Sequence, residues 1–343
     1  MKKHLLLLLL LPSTLLSQEN IKFSKSIVVE DLEKHLNILA SDSLEGRETG
    51  KPGQKMAADY IMNHFKSLGI PPYKKKTYYQ KFKVKSGRHL CKCDDCDQSL
   101  VKKIFGNKKK IKGENVLGYI EGTDLKDELI IITAHYDHLG KHDSLIFNGA
   151  DDDGSGTVAV MEIAEAFMLS KKAGKGPRRS VLVMAVSGEE KGLLGSKYYT
   201  DHPIYPLENT VANLNIDMIG RIGDFKENPN YVYLIGADRL SQELHNISEQ
   251  VNKEHIGLEL DYTFNEEDDP NRYYYRSDHY NFAKNNIPVI FYFNGIHEDY
   301  HKVTDTVEKI YFQKIETITR LVFLTAWELA NREERIELDK KEN

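Results

Sequence analysis

Between Gly113 and Asn331, short apolar runs suited to strands alternate with longer stretches of helical periodicity, and this alternation constrains the fold more than any other feature. ENVLGYI, ELIIITAH and RSVLVMAVS read as buried strands, GSGTVAVMEIAEAFML places apolar residues at helical spacing, and GLLGSKYYT is a short helix before the strand TVANLNID. YVYLIG, a helix from Leu240 to Glu254, a helix starting near Ser277, the strand PVIFYF and a helix from Phe312 to Asn331 complete the series. Strands separated by helices pair in parallel, because each crossover returns the chain to the same end of the sheet. The class is therefore α/β, a single domain whose mostly parallel central sheet is covered by helices on both faces. Two helices, Val28 to Ala40 and Gln54 to Leu68, precede this core, with LASDSLEGRETGKPG as the loop between them. TYYQKFKVK then alternates like a strand, and the polar stretch 85–113 departs from the pattern as an irregular excursion.

In open α/β sheets, ligands bind beyond the carboxyl ends of the strands. Here those ends are acidic or carry imidazole. ELIIITA runs into His135, with Asp137 two residues on; RSVLVMAVSG ends in Glu189 and Glu190; TVANLNI ends in Asp217; and PVIFYF is followed by Tyr300 and His301. GADDDGSGT sets Asp151, Asp152 and Asp153 in the loop after the His135 strand, on the same edge. Any one of these is unremarkable, since acids before a helix suit its N-terminus and a lone histidine after a strand is usually structural. Together, two histidines and three carboxylates match what two borderline metal ions need when one carboxylate bridges them, with a further carboxylate left over. Zinc suits such a set best, and at least one of the three aspartates is expected to be a ligand.

The ordered motifs AHYDHLG, NGADDDGSGT, SGEEKGLLGS, NIDMIG and EDYHKVTDT resemble the secreted co-catalytic zinc aminopeptidases, a family that includes glutamate carboxypeptidase. The resemblance implies a mixed sheet of about eight strands and two zinc ions per chain. It places His135 and Asp217 on one zinc, His301 and Glu190 on the other, and Asp152 between them, with a cis peptide bond between Asp152 and Asp153. Two such ions, about 3.5 to 4 Å apart, share a water and lower its pKa toward neutrality. Glu189 matches the general base that takes that water's proton. Tyr300 resembles a donor to the oxyanion and Arg276 a substrate contact, while Asp137 would fix the His135 tautomer and Asp305 would do similar work near His301. The stretch NEEDDPNRYYY is a candidate lining for the specificity pocket. Peptides are the implied substrates. Glutaminyl cyclases share the fold but use one zinc, and receptor relatives bind without catalysis; the intact His135 and Asp217 favour hydrolysis.

Met1 to Ser17 carries Lys2 and Lys3, seven consecutive leucines from Leu5 to Leu11, Pro12 and small residues, the pattern of a secretory signal peptide. The apolar run is too short for a spanning helix, so the expectation is cleavage near Ser17. That leaves a peptidase domain over 18–343 with no integral membrane segment, exported to the periplasm or beyond. Without Lys2 and Lys3, 45 basic side chains face 52 acidic ones, a balance that does not suit nucleic acid as a partner. The run from Lys102 to Lys112 reads as a solvated face. Cys91, Cys93 and Cys96 in CKCDDC read as one local disulfide with a spare thiol, and the spacing also admits a metal for which no fourth ligand is evident.

Overall fold

The strand runs fold as their alternation requires, because successive side chains point to opposite faces of a sheet. In the third strand Ile130, Ile132 and Ala134 join one buried apolar cluster, while Leu129 and Ile131 join a second on the other face. Val181, Val183 and Ala185 divide from Leu182, Met184 and Val186 in the same way. Both clusters need a covering layer, and helices supply it.

The computed structural model describes residues 20–73, 76–85 and 110–342. Within them, β1 (Tyr79–Lys85), β2 (Lys110–Ile120), β3 (Leu125–His135), the hairpin β4 (Gly140–His142) and β5 (Leu145–Phe147), β6 (Arg179–Val186), β7 (Thr210–Ile216), β8 (Tyr231–Ile235), β9 (Glu259–Asp261) and β10 (Val289–Phe293) follow in chain order. All but the hairpin form one eight-stranded sheet in the order β1-β2-β6-β3-β7-β10-β8-β9. The centre, β6-β3-β7-β10, is parallel, whereas β1/β2, β2/β6 and β10/β8 are antiparallel. The sheet is thus mixed and has the expected strand number.

Helices α1 (Val29–Leu39), α2 (Pro52–Ser67), α3 (Gly156–Lys172), α5 (Gln242–Val251) and α7 (Phe312–Asn331) contribute to the first cluster; α4 (Leu194–Asp201) and α6 (His279–Ala283) contribute to the second. α5 begins later than its periodicity suggests because the Ser241 hydroxyl accepts the Leu244 N–H and caps it. It also ends earlier, in a wider turn over Asn252–Ile256. The ends of the stretch 85–113 are strand rather than excursion, with Lys85 opposite Lys110 and Phe82 opposite Gly113. The rest of that stretch, with the three cysteines and most of the lysine run, lies outside the described residues, as does the leader Met1 to Ser17. No helix among the described residues is long and apolar enough to cross a membrane.

The loop before α2 is pinned by a fully buried arginine. Arg47 donates through Nε to the Tyr136 carbonyl at 2.8 Å, through Nη1 to the Leu39 and Asn148 carbonyls at 2.6 Å each, and through Nη2 to the Gly149 carbonyl at 2.8 Å. A guanidinium holds its donors in a rigid plane, so this one side chain ties α1, the residue after β3 and the aspartate loop together.

Candidate metal centre

Because β3, β6 and β7 run in parallel, their carboxyl ends reach one edge of the sheet and deliver His135, Glu189, Glu190 and Asp217 to it. The aspartate loop enters the same edge, and its three carboxylates serve different ends. Asp151 accepts the Gly220 N–H at 2.6 Å through Oδ1 and sets Oδ2 3.2 Å from His297 Nε2. Asp153 accepts the His135, Gly156 and Met218 N–H groups at 3.0, 2.9 and 3.1 Å. Any side chain at Gly156 would collide with that carboxylate, since a Cβ there would lie 2.4 Å from its oxygen. Asp152 alone turns into the site, across a cis bond to Asp153.

Asp152 Oδ1 lies 3.3 Å from His135 Nε2, which is also 3.5 Å from Asp217 Oδ1. Asp152 Oδ2 lies 3.1 Å from His301 Nε2 and 3.8 Å from His138 Nδ1. Glu190 reaches the second group, with Oε2 3.3 Å from His301 and Oε1 2.9 Å from His138. These separations match the edge of a tetrahedron with bonds of 2.0–2.1 Å, roughly 3.3 Å. His138 Nδ1 and Glu190 Oε1 are close yet not aligned as a hydrogen bond, and both, with Asp152 Oδ2, are buried without a hydrogen-bond partner. Atoms that approach without pointing at each other converge on a third point, as ligands do around a cation. The residues therefore fit metal ions in two groups, His135/Asp152/Asp217 and Asp152/Glu190 with His138 and His301.

Charge leads to the same conclusion. Burial opposes a proton on His135, but Asp217 and Asp152 outweigh it and hold the imidazole well above its ordinary range. His301 is raised in the same way by Glu190 and Asp152. The carboxylates around both rings thus create a field that favours positive charge at this point, as a cation would supply.

His138 is a residue that sequence reasoning passed over, though it stands in AHYDHLG three positions after His135. Two supporting roles also differ from expectation. His135 Nδ1 meets the backbone carbonyl of Asp137 at 3.0 Å, while the nearer carboxylate oxygen is 3.9 Å away. The Asp137 carboxylate is occupied elsewhere, accepting the Thr49 hydroxyl at 2.5 Å and the Glu189 N–H at 3.3 Å. Asp305 faces the aspartate loop instead of His301, accepting the Asp151 and Asp152 N–H groups at 3.1 Å. Backbone donors are fixed and close, so they claim these carboxylates before a ring nitrogen can.

A cavity opens beside the first group, lined by Glu189, Tyr300 and Arg276 together with the apolar Met218, Tyr273, Phe291, Phe293 and Ile296. The Arg276 guanidinium lies 5.0 Å from the centre of the Tyr273 ring, and Tyr300 stacks on His301 with ring centres 3.9 Å apart. Of the stretch 265–275, Tyr273 reaches the cavity.

The chain matches peptidase family M28 over residues 115–326. It is similar to a probable glutamate carboxypeptidase of Arthroderma benhamiae, 36% identical over 118 residues that cover 34% of this chain and 15% of that protein. The chain thus spans a small part of the length of the curated relative it matches. Its fold resembles the LapA aminopeptidase of Legionella pneumophila, with a TM-score of 0.68 and 22% identity over 97% of this chain and 79% of that one. It also resembles the glutaminyl cyclase of Porphyromonas gingivalis, with a TM-score of 0.61 and 17% identity over 87% of this chain and 98% of that one. At these identities the structural likeness is one of fold.

Proposed function

Because the chain belongs to peptidase family M28, we propose that it is a zinc-dependent exopeptidase, an aminopeptidase that removes N-terminal residues from peptides with two zinc ions per chain. One observation carries the reading: the two oxygens of Asp152 face different groups, Oδ1 toward His135 and Oδ2 toward His301. In it, His135 and Asp217 complete one zinc site, His301 and Glu190 the other, and His138 stands beside the second. When bound, the paired ions supply Lewis acidity and bring a water to a pKa near neutrality.

Proton transfer falls to Glu189. Burial pushes its carboxyl well above the ordinary range; His135 opposes this, and Glu190, Asp217 and Asp278 add to it. Positive charge among those neighbours offsets their repulsion and brings Glu189 back toward a range where it takes and returns a proton near neutral pH. The Tyr300 phenol donates to the oxygen that becomes anionic as the carbonyl is attacked. Arg276 orients the substrate, and the apolar wall from Met218 to Ile296 receives the terminal side chain. The leucine-rich pattern of Met1 to Ser17 supports export of this activity, with 18–343 as the peptidase domain.

Purified protein should hold two zinc atoms at the strand-end centre, lose turnover to a chelator and recover it with zinc. It should also prefer reporters with a free N-terminus over those with a blocked one. A single zinc with cyclisation of N-terminal glutamine would instead make it a cyclase, and no turnover with no metal would make it a binding module.

Glu190→Gln should lose zinc from the second site and recover part of its activity in excess zinc, because its defect is one of occupancy. Retention of both ions through dialysis would remove Glu190 from the ligand set. His138→Ala should weaken the same site by about 10–100-fold, the usual cost of removing a group that braces a ligand. Competition with a chromophoric chelator measures it, and an unchanged affinity would leave His138 without a role at the metal.

A further inference from the structure

Away from the strand ends, α1, α2 and α3 bring His35, His64 and Glu162 together, and none of the proposed chemistry uses them. His35 occupies the inward stripe of α1 with Leu32, Leu36 and Leu39. Glu162 lies within α3, its side chain 1% exposed. One ligand atom from each of the three residues lies within 4.8 Å of the others.

Glu162 Oε1 is buried without a hydrogen-bond partner. Its neighbour His35 Nε2 lies 3.6 Å away, too far for a hydrogen bond and close to the roughly 3.3 Å between ligands of one tetrahedral zinc. The two rings meet edge to face with centres 4.7 Å apart. Each ring has its other business already arranged: His35 Nδ1 is 2.6 Å from the Tyr60 hydroxyl, and His64 Nε2 is 3.3 Å from the Met161 carbonyl. The Met161 carbonyl only accepts, so His64 carries its proton on Nε2 and keeps a lone pair on Nδ1, while the Tyr60 hydroxyl accepts from His35 Nδ1 in the tautomer that leaves Nε2 its lone pair, the usual state of a metal-bound histidine. Burial, then His64 and Lys34, push His35 down to about 3, and burial, then Glu165 and Asp31, push Glu162 up to about 8 against Lys34. Both rings and the carboxyl thus favour their neutral forms, the state that a divalent ion replaces by exchanging with the Glu162 proton. His64 is partly exposed, which provides a path of entry.

We propose that His35, His64 and Glu162 form a further metal site, separate from the strand-end centre, which takes a borderline divalent cation of the zinc type and clamps α1, α2 and α3 to one another. Two imidazoles and one carboxylate favour zinc, cobalt, nickel or copper over calcium or magnesium, whose ligands are oxygens. A water completes the set. The proposal does not depend on the aminopeptidase reading, because the site shares no residue with it.

The full-length protein, stripped of metal and titrated with zinc alone, decides the matter through the difference between variants. His64→Ala and Glu162→Gln should each bind one equivalent fewer than the parent, keep its turnover within about twofold, and show a smaller zinc-induced rise in unfolding temperature. Because the strand-end residues are the same in all three proteins, this difference is independent of how many ions that centre holds. Cobalt absorption of the parent should lose one component in the variants. Equal zinc content in parent and variants overturns the proposal, as does loss of zinc only together with loss of turnover. Should Glu162→Gln fail to fold, His64→Ala, at a partly exposed position, carries the comparison.

Discussion

Glu189→Gln should keep the metal content of the parent and lose about 10²–10⁴-fold in turnover. The carboxamide has the shape of the carboxylate, and the contact that seats this residue is its backbone N–H on Asp137, which the substitution leaves in place. What disappears is the ability to take a proton beside the cavity. The Michaelis constant should change little, because the loss belongs to the transition state. The acid limb of the rate profile should also change shape, since the base that must be deprotonated to act is gone. Its neighbour Glu190 offers the control: adjacent in sequence and of the same chemical type, it faces His138 and His301 instead. Turnover within tenfold of the parent in Glu189→Gln would remove Glu189 from proton transfer, whatever its position at the cavity wall.

Arg47→Met should lower the free energy of unfolding by about 3–5 kcal/mol, as is typical when a buried charged partner is removed and its acceptors are left unpaired. Four carbonyls, on Leu39, Tyr136, Asn148 and Gly149, lose the guanidinium at once, and Gly149 keeps a second donor in the Gly154 N–H. Two of them flank functional residues, because Tyr136 follows His135 and Gly149 begins the turn into the aspartate loop. Metal affinity should therefore fall together with stability. Arg47→Lys should recover only part of either, since an ammonium cannot reproduce the planar fork. Denaturant titration of metal-free protein measures the first effect, and a loss below about 1 kcal/mol would mean that water replaces the guanidinium.

The parts of this molecule that periodicity governs were legible before any coordinates. β6 and the carboxyl half of β3 are buried on both faces and read as continuous apolar runs, β7 alternates its apolar residues with the buried Asn213 and Asn215, and the residue type where each strand stops marks the site. Partners chosen by tertiary geometry were not legible. Asp137 and Asp305 looked like supports for histidines, yet they serve backbone N–H groups and a hydroxyl whose positions depend on loops. Arg47 stood in a glycine-rich loop, where a charged residue ordinarily faces water, and nothing local signals that four carbonyls surround it. His138 was hidden by its neighbour, because a second histidine after a strand looks like a loop residue until Glu190 is brought beside it. His35 was hidden for the opposite reason, since it occupies a position in an amphipathic stripe that reads as core.

Among the described residues the sheet order ends at β1, an edge strand whose outer backbone groups are not used by β2. Exposed strand edges invite pairing with a second copy of the chain, the first step of edge-to-edge aggregation. Here alternate residues Lys81 and Lys83 of that strand are both exposed on one face. A second copy adding its own β1 would bring ammonium groups toward ammonium groups, and a cross-strand pair of like charges destabilises a ladder. Lysines so placed oppose edge-to-edge pairing through charge alone, an opposition that weakens as added salt shortens the screening length.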